Sequence, residues 1–246
     1  MATAAFISDI HGNRPALDAV LADIRGRGID DVYCLGDLVG YGPDPNGVID
    51  LIRQERIPTI AGNYDDGVGW KRGDCGCSYA TAEARAVGDA SYAFTVGEVT
   101  DERKAWLREL PRERHVVLGG TRLHLVHGSP RKINEYLLRD RDARTFLRLA
   151  DAEKDDVLVF GHTHDPWHRR FGAVLFVNVG SVGRPKDGDP MAAYAVLRTA
   201  RGRAVKPIEA VEVETVRVAY DVETVARAVE AAGLPLVLAA ALREGR

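Results

Sequence analysis

An α/β protein is predicted, on three observations. Short apolar runs stop at glycine, aspartate or asparagine. Segments with apolar residues three and four apart separate these runs in the first half. Beyond about residue 170 the chain turns strand-rich. In order, Ala4–Ser8 is an apolar run ending at Asp9. Pro15 then opens a helix whose Leu17, Val20, Leu21 and Ile24 share one face, stopped by Gly26 and Gly28. Val32–Leu35 is the next strand, ending at Gly36-Asp37, and the turn-rich "GYGPDPNG" leads to a helix around Val48–Gln54. Ile57–Ala61 reads as a third strand, ending at Gly62-Asn63. This βαβαβ rhythm predicts a largely parallel sheet in the first half.

Residues 64–114 break the rhythm and read as a helical insertion, with a helical stretch from Thr81 to Leu110. A hairpin follows in "HVVLGGTRLHLVHG", turning at Gly119-Gly120. A helix near Ala143–Ala150 precedes the Val157–Phe160 strand. The tail ("AVLFVNV", "AAYAVLR", "VEVETVRVAY") predicts a second, antiparallel-leaning sheet, closed by one or two helices. There are no repeats or linkers, so residues 1–246 are expected to form a single domain.

Composition narrows the class. Apolar residues make up 46% and charged residues 28%, an ordinary globular balance. A net charge of −3 leaves no basic footprint, so nucleic acid is not the expected partner. The apolar run after Met1 reaches Asp9 too early for a signal peptide. Ala231–Leu242 contains a proline and falls short of the roughly 20 residues a membrane span needs. Three cysteines make a poor disulfide framework. A cytoplasmic, reduced protein is expected, with homo-oligomerisation open.

The polar residues at the strand ends carry the chemistry. Asp9 and His11 follow the first strand, Asp37 the second and Asn63 the third. His127 follows the hairpin, and His162 with His164 follows the next strand, in "FGHTHD". Open α/β sheets build sites where loops at the carboxyl ends of strands converge. Each residue alone has a bland reading: Asp-x-His and His-x-His as turns, Asn63 as turn chemistry, His127 as a satisfied strand-end histidine. Together they are all metal-ligand types. Imidazole, carboxylate and amide oxygen suit first-row ions such as Mn, Fe, Co, Ni or Zn. Seven donors are too many for one tetrahedral ion but suit two ions sharing a carboxylate.

In order, "DIHGN" (9–13), "GDLVGYG" (36–42), "GNYD" (62–65), "VHGS" (126–129) and "GHTH" (161–164) resemble the five signature blocks of calcineurin-like metallophosphoesterases. Each block is weak, but the ordered set is specific and spans residues 4 to about 195. "HGSP" and "NVGSVGRPKDGDP" look most like the small single-domain phosphodiesterase branch of bacteria and archaea. The resemblance implies a four-layer α/β/β/α sandwich of two mixed sheets. It implies that Asp9, His11 and His164 hold one divalent metal ion, that Asn63, His127 and His162 hold the other, and that Asp37 bridges them. It further implies a metal-bridging hydroxide as nucleophile on a small phosphorylated substrate, most naturally a phosphodiester, with manganese a natural metal. Asn63, Tyr64 and His127 become the candidate catalytic residues. Much of the family has histidine where this chain has Tyr64, and a phenol of reference pKa about 10 is a poorer acid at neutral pH.

The alternatives are a phosphomonoesterase, a dinucleoside-polyphosphate hydrolase, or a non-catalytic protein-binding scaffold on the same fold, against which the intact ligand set argues. Arg131, after "HGSP", is a candidate substrate contact. Cys75 and Cys77 read as loop thiols, since no second cysteine pair completes a zinc site. Trp70 and Tyr79 are expected to pack the insertion onto the core, and His115, His124 and His168 to be structural.

Overall fold

The computed structural model describes residues 1–200 and 211–246. The chain runs β1 (Ala2–Ile7), α1 (Arg14–Gly26), β2 (Val32–Cys34), α2 (Pro45–Gln54), α3 (Asn63–Trp70), α4 (Ala82–Glu98) and α5 (Asp101–Glu109). It continues with β3 (Glu113–Leu118), β4 (Thr121–Val126), α6 (Ala143–Ala152), β5 (Val157–Phe160), β6 (Trp167–Phe171) and β7 (Val174–Asn178). β8 (Ala192–Thr199), β9 (Val211–Val218), α7 (Val222–Ala231) and α8 (Leu236–Glu244) complete it. The strands form two mixed sheets, ordered β2-β1-β8-β9 and β3-β4-β5-β7-β6.

The layering follows from strand alternation. In β1, Ala4 and Phe6 face the other sheet, packing with Leu123, Leu125, Val157 and Val159, while Ala5 and Ile7 face α1. In β5, Val157 and Val159 point between the sheets, and Leu158 and Phe160 point outward to Phe146 of α6. Strands covered on both faces read as unbroken apolar runs. Helix, sheet, sheet and helix therefore stack in four layers, as expected. Helix starts match their cues: the Asn13 side chain accepts from the Ala16 amide with Pro15 in the first turn, and Asp44 with Pro45 does the same for α2.

Three expectations are corrected. Ile57–Ala61 makes only an isolated bridge, Cys34 to Thr59. Pro58 has no N–H to extend a ladder, so pairing stops there. The tail does not form its own sheet. β8 pairs antiparallel with β1, and β7 pairs parallel with β5, so only β1–β2 of the first half is a parallel pair. Periodicity reports which face of a strand is apolar, not which strand lies beside it. β6, sequence WHRRF, escapes detection because its three central residues are solvent-facing on a sheet edge. The 64–114 insertion is helical, as α3, α4 and α5, and the Gly119-Gly120 hairpin joins β3 to β4. Among the described residues, no helix is long and apolar enough to cross a membrane.

The β3–β4 hairpin carries a structural histidine pair. His124 is buried, bonded through Nδ1 to Glu153 (2.8 Å) and through Nε2 to Glu113 (3.3 Å), and it stacks on His115. Burial opposes its protonation, but Glu153 and Glu113 outweigh it and raise its pKa above the usual value. A raised folded-state pKa contributes stability that is fully present below the unfolded value of about 6.5 and is lost as pH rises through the folded value. His124→Gln should therefore lose more unfolding free energy at pH 5.5 than at pH 9, measured by urea denaturation. Equal losses would show that the charge pairing contributes nothing.

Candidate metal centre and active site

Loops leaving β1, β2, β4 and β5 meet at one end of the sandwich, joined by the first residue of α3. They bring Asp9, His11, Asp37, Asn63, His127, His162 and His164 together, all nearly inaccessible to solvent. Five of the seven sit in the left-handed backbone region: Asp9, His11, Asp37, His162 and His164 have φ between +50° and +66°. Only a few per cent of non-glycine residues do so, with Asn, Asp and His enriched. These tight reversals let a strand-end side chain point back across the rim. Backbone bonds hold the loops to one another: the Asp9 amide donates to the Gly36 carbonyl (2.9 Å) and the Gly161 amide to the His127 carbonyl (2.9 Å). The glycines of the blocks are steric necessities. A Cβ on Gly62 would lie 2.1 Å from Asp37 Oδ1, and one on Gly161 would lie 2.5 Å from Asp9 Oδ2.

The donor atoms form two adjoining groups. Asp9, His11 and His164 place one ligand atom each within 4.8 Å of one another, and so do Asp37, His127 and His162. Asp37 Oδ2 faces both groups, 3.4 Å from His127 Nε2 and 3.7 Å from His11 Nε2. Its Oδ1 accepts from the Tyr64 amide (2.8 Å), and Asp9 Oδ2 accepts from the His162 amide (2.9 Å), so one oxygen of each carboxylate is left to the rim. Asn63 donates through Nδ2 to the Cys75 carbonyl (3.0 Å), which turns its Oδ1 toward His127 Nε2 (3.1 Å).

These residues fit divalent ions on three observations. The Nδ1 atoms of His11, His127 and His164 contact the carbonyls of Val39 (2.9 Å), Leu35 (2.8 Å) and Arg184 (2.5 Å). A carbonyl only accepts, so Nδ1 carries the proton and Nε2 offers a lone pair, the usual support of a metal-binding imidazole. In that tautomer His11 Nε2 and His164 Nε2 oppose lone pairs at 3.1 Å, an arrangement a shared cation relieves. Asp9 Oδ1 and His162 Nε2 are buried with no hydrogen-bond partner. Buried polar atoms are rarely left so.

The electrostatics agree. Burial lowers His162 and His164 to about 3, keeping both in the neutral form that binds metal. Burial alone would raise the Asp9 and Asp37 carboxyls, but surrounding imidazoles outweigh it, His164 foremost at Asp9 and His127 at Asp37, and hold both below the ordinary range. Burial would lower His127, yet Asp37 and Asp9 push it up to about 9, so an ion bound there would displace the Nε2 proton. The field at the rim favours positive charge.

The calcineurin-like phosphoesterase superfamily domain matches residues 3–202. The chain belongs to this family. It is 32% identical over 236 residues to protein MJ0912 of Methanocaldococcus jannaschii, covering 89% of this chain and 88% of that one. It is 30% identical over 195 residues to phosphodiesterase YfcE of Escherichia coli K12, covering 78% and 85%. The crystal structure of a metallophosphoesterase from Sphaerobacter thermophilus is 30% identical, with a TM-score of 0.76 over 100% of this chain and 99% of the other. Protein PH1004 of Pyrococcus horikoshii shares the fold, with a TM-score of 0.82 at 22% identity over 100% and 99% of the two chains.

Within this metal-dependent phosphoesterase, two sequence-level candidates are placed differently from expectation. Arg131 is tied to Glu135 through both Nε and Nη2 and lines a separate hollow with His115 and His124, so it does not reach the rim. Tyr64 hydrogen-bonds to the rim only through its backbone amide, which donates to Asp37. Its side chain is fully buried among His11, Tyr41 and Tyr92, and its hydroxyl has no partner. Burial pushes that phenol well above its ordinary value, making it a still weaker acid. Cys75 and Cys77 carry free thiols, with Cys77 Sγ 3.3 Å from Asn63 Nδ2. Trp70 is exposed, with Arg72 and Arg108 over its ring, rather than packed inward.

Three residues escape the sequence reading. Arg184 and Lys186 follow "NVGSVG" and reach the rim through His164: its Nδ1 donates to the Arg184 carbonyl, and its carbonyl accepts from the Lys186 amide (3.2 Å). Asn178 ends β7 as Asp9 and Asp37 follow β1 and β2, a pattern that could have flagged it. Its Nδ2 donates to the Gly161 carbonyl and to Thr163 Oγ1, and its Oδ1 accepts from the Gly180 amide, each at 2.9 Å. It thereby fixes the turn that carries His162 and His164. Asn178→Ala orphans these buried groups and should cost about 2–4 kcal/mol, measured by urea denaturation of chelator-treated protein. A loss below about 1 kcal/mol would mean the turn holds itself.

Proposed function

We propose that residues 1–246 act as one metallophosphoesterase domain, a phosphodiesterase that works with two divalent metal ions. The observation that carries this reading is Asp37 Oδ2, which faces both donor groups at once. Asp9, His11 and His164 would hold one ion and Asn63, His127 and His162 the other, with Asp37 shared. When bound, two such ions supply a nucleophile from water at neutral pH and neutralise charge on the phosphoryl oxygens. The reaction is phosphodiester plus water to phosphomonoester plus alcohol.

The remaining work falls to the chain. The Val39, Leu35 and Arg184 carbonyls fix three imidazole tautomers. Asn63, held through the Cys75 carbonyl, keeps its oxygen on the rim. Tyr64 positions Asp37 through its amide rather than donating a proton. A diester, with one negative charge, meets less repulsion from Asp9 and Asp37 than a doubly charged monoester. The likeness to phosphodiesterase YfcE supports the same choice.

Three outcomes are expected. Elemental analysis of metal-replete protein should give two transition-metal ions per chain, and Asp37→Ala should lose more metal than a change at any one of the other six residues; a single ion at full occupancy would contradict the two-ion reading. Chelation should abolish hydrolysis of bis(p-nitrophenyl) phosphate, and Mn²⁺ should restore it better than Mg²⁺, because imidazole-rich sites suit Mn²⁺ while Mg²⁺ prefers oxygen ligands. Full activity after exhaustive chelation would remove the proposal. Finally, Tyr64→Phe should leave kcat largely intact. A fall of about 10²–10⁴-fold, the usual worth of a general acid, would restore the phenol to a proton-donating role.

A further inference from the structure

A hollow of about 540 Å³ lies between α4 and α8. Its floor is built from residues one contact away from the metal-donor set. Tyr136 lies 4.1 Å, ring to ring, from His162, and Tyr41 lies 5.0 Å from His11. Cys77 touches Asn63, and Arg184 and Lys186 hold His164 through their backbones. The hollow therefore opens directly beside the rim on which phosphate chemistry is proposed.

Its charge is one-sided. Among the described residues, no carboxylate lies within ion-pair distance of Arg184 or Lys186. The neighbouring acid, Asp187, is taken by Arg217. Arg184 Nε is buried without a hydrogen-bond partner, and its guanidinium lies 4.1 Å over the Tyr41 ring. At the opposite wall Arg246 is neutralised by Glu244, and Val87, Val237, Leu238 and alanines supply apolar surface. Arg184, an unpaired cation, and Lys186, whose amine burial and the Arg184 charge pull down to about 7, thus sit at the metal end, with an apolar slot beyond them. Tyr41, Tyr79 and Tyr136 line it; Arg184 covers the Tyr41 ring, which leaves Tyr79 and Tyr136 to stack on a flat ring. The α8 wall is anchored, since the Gly188 amide of the loop that carries Lys186 donates to the Gly245 carbonyl (2.9 Å). Clefts of roughly 300–1,000 Å³ commonly house small organic ligands.

From this asymmetry we propose the substrate class: a phosphodiester in which one ester group is a flat aromatic unit of nucleoside size. Its phosphate lies at the Arg184–Lys186 end, and its ring lies in the slot between α4 and α8. This rests on the phosphodiesterase reading for the reaction, though not for the binding.

The test is calorimetric binding to the Mn²⁺-loaded protein, with thymidine 5′-monophosphate and inorganic phosphate as probes. The nucleotide should bind at least about 10-fold tighter, from the apolar area its base buries. Ala84→Phe and Ala241→Phe fill the slot from opposite walls, and each should bring nucleotide affinity down to that of phosphate. Circular dichroism verifies that both variants are folded. Equal affinity of the wild type for the two probes would overturn the proposal, as would retention of the preference in both variants. Hydrolysis of bis(p-nitrophenyl) phosphate is followed separately. A protein that prefers the nucleotide but cleaves no diester keeps the slot and loses the phosphodiesterase reading. One that cleaves the diester without the preference does the reverse.

Discussion

Asp9 and Asp37 are carboxylates buried at the ends of two neighbouring strands, and most of the surrounding architecture is arranged around that fact. An uncompensated carboxylate taken out of water is expensive, and proteins keep one only when partners surround it. Here each gives one oxygen to a backbone amide, from His162 or Tyr64, and turns the other toward imidazoles. Those amides belong to other loops. The Asp9 carboxylate therefore ties the β1 loop to the β5 loop, and Asp37 ties the β2 loop to α3. The same bonds that lower the cost of burial set the relative positions of the donors.

The strands supply the rigidity this needs. Five donors in left-handed backbone cost of order 1 kcal/mol each or more, a substantial fraction of a domain's net stability. Local sequence cannot hold such turns. They persist because β1, β5, β7 and β8 are apolar on both faces and locked between layers, which fixes where each loop begins and ends. A loop whose ends are fixed and whose side chains are bonded across the rim has few alternatives.

This explains what was legible in the sequence. Asp9, His11, Asp37, Asn63, His127, His162 and His164 could be read because each stands at the end of an apolar run, beside a glycine or within a short block, and the ordered blocks resemble a known family. The α1 face and the Gly119-Gly120 hairpin were legible for equally local reasons. Strand neighbours were not, since the insertion of β8 beside β1 depends on contacts far apart in the chain, such as Ala5 with Val196. Arg131 and Arg184 show the same limit in the site. Both are loop arginines near a family block, and nothing local separates them. The difference is Glu135, four residues from Arg131 and positioned to take its charge, whereas among the described residues no carboxylate is placed to take that of Arg184.

The chain thus divides its tasks by element type. Donors come from loops at the ends of buried strands, where a displacement of one loop would misplace several ligands at once. The hollow beside them is walled by helices that belong to neither sheet: α4 lies in the insertion, and α8 follows the last strand and packs largely on α7 through its own apolar cluster. Substitutions in such helices can reshape the slot without moving a carboxylate or an imidazole. The hinge between the two tasks is the segment from Gly180 to Lys186. Its Ser181 hydroxyl donates to the Asp9 carbonyl (2.7 Å), its Arg184 carbonyl holds His164, and its Arg184 and Lys186 side chains line the slot. A change in that segment would be felt on both sides, so it is where metal chemistry and substrate choice are physically coupled.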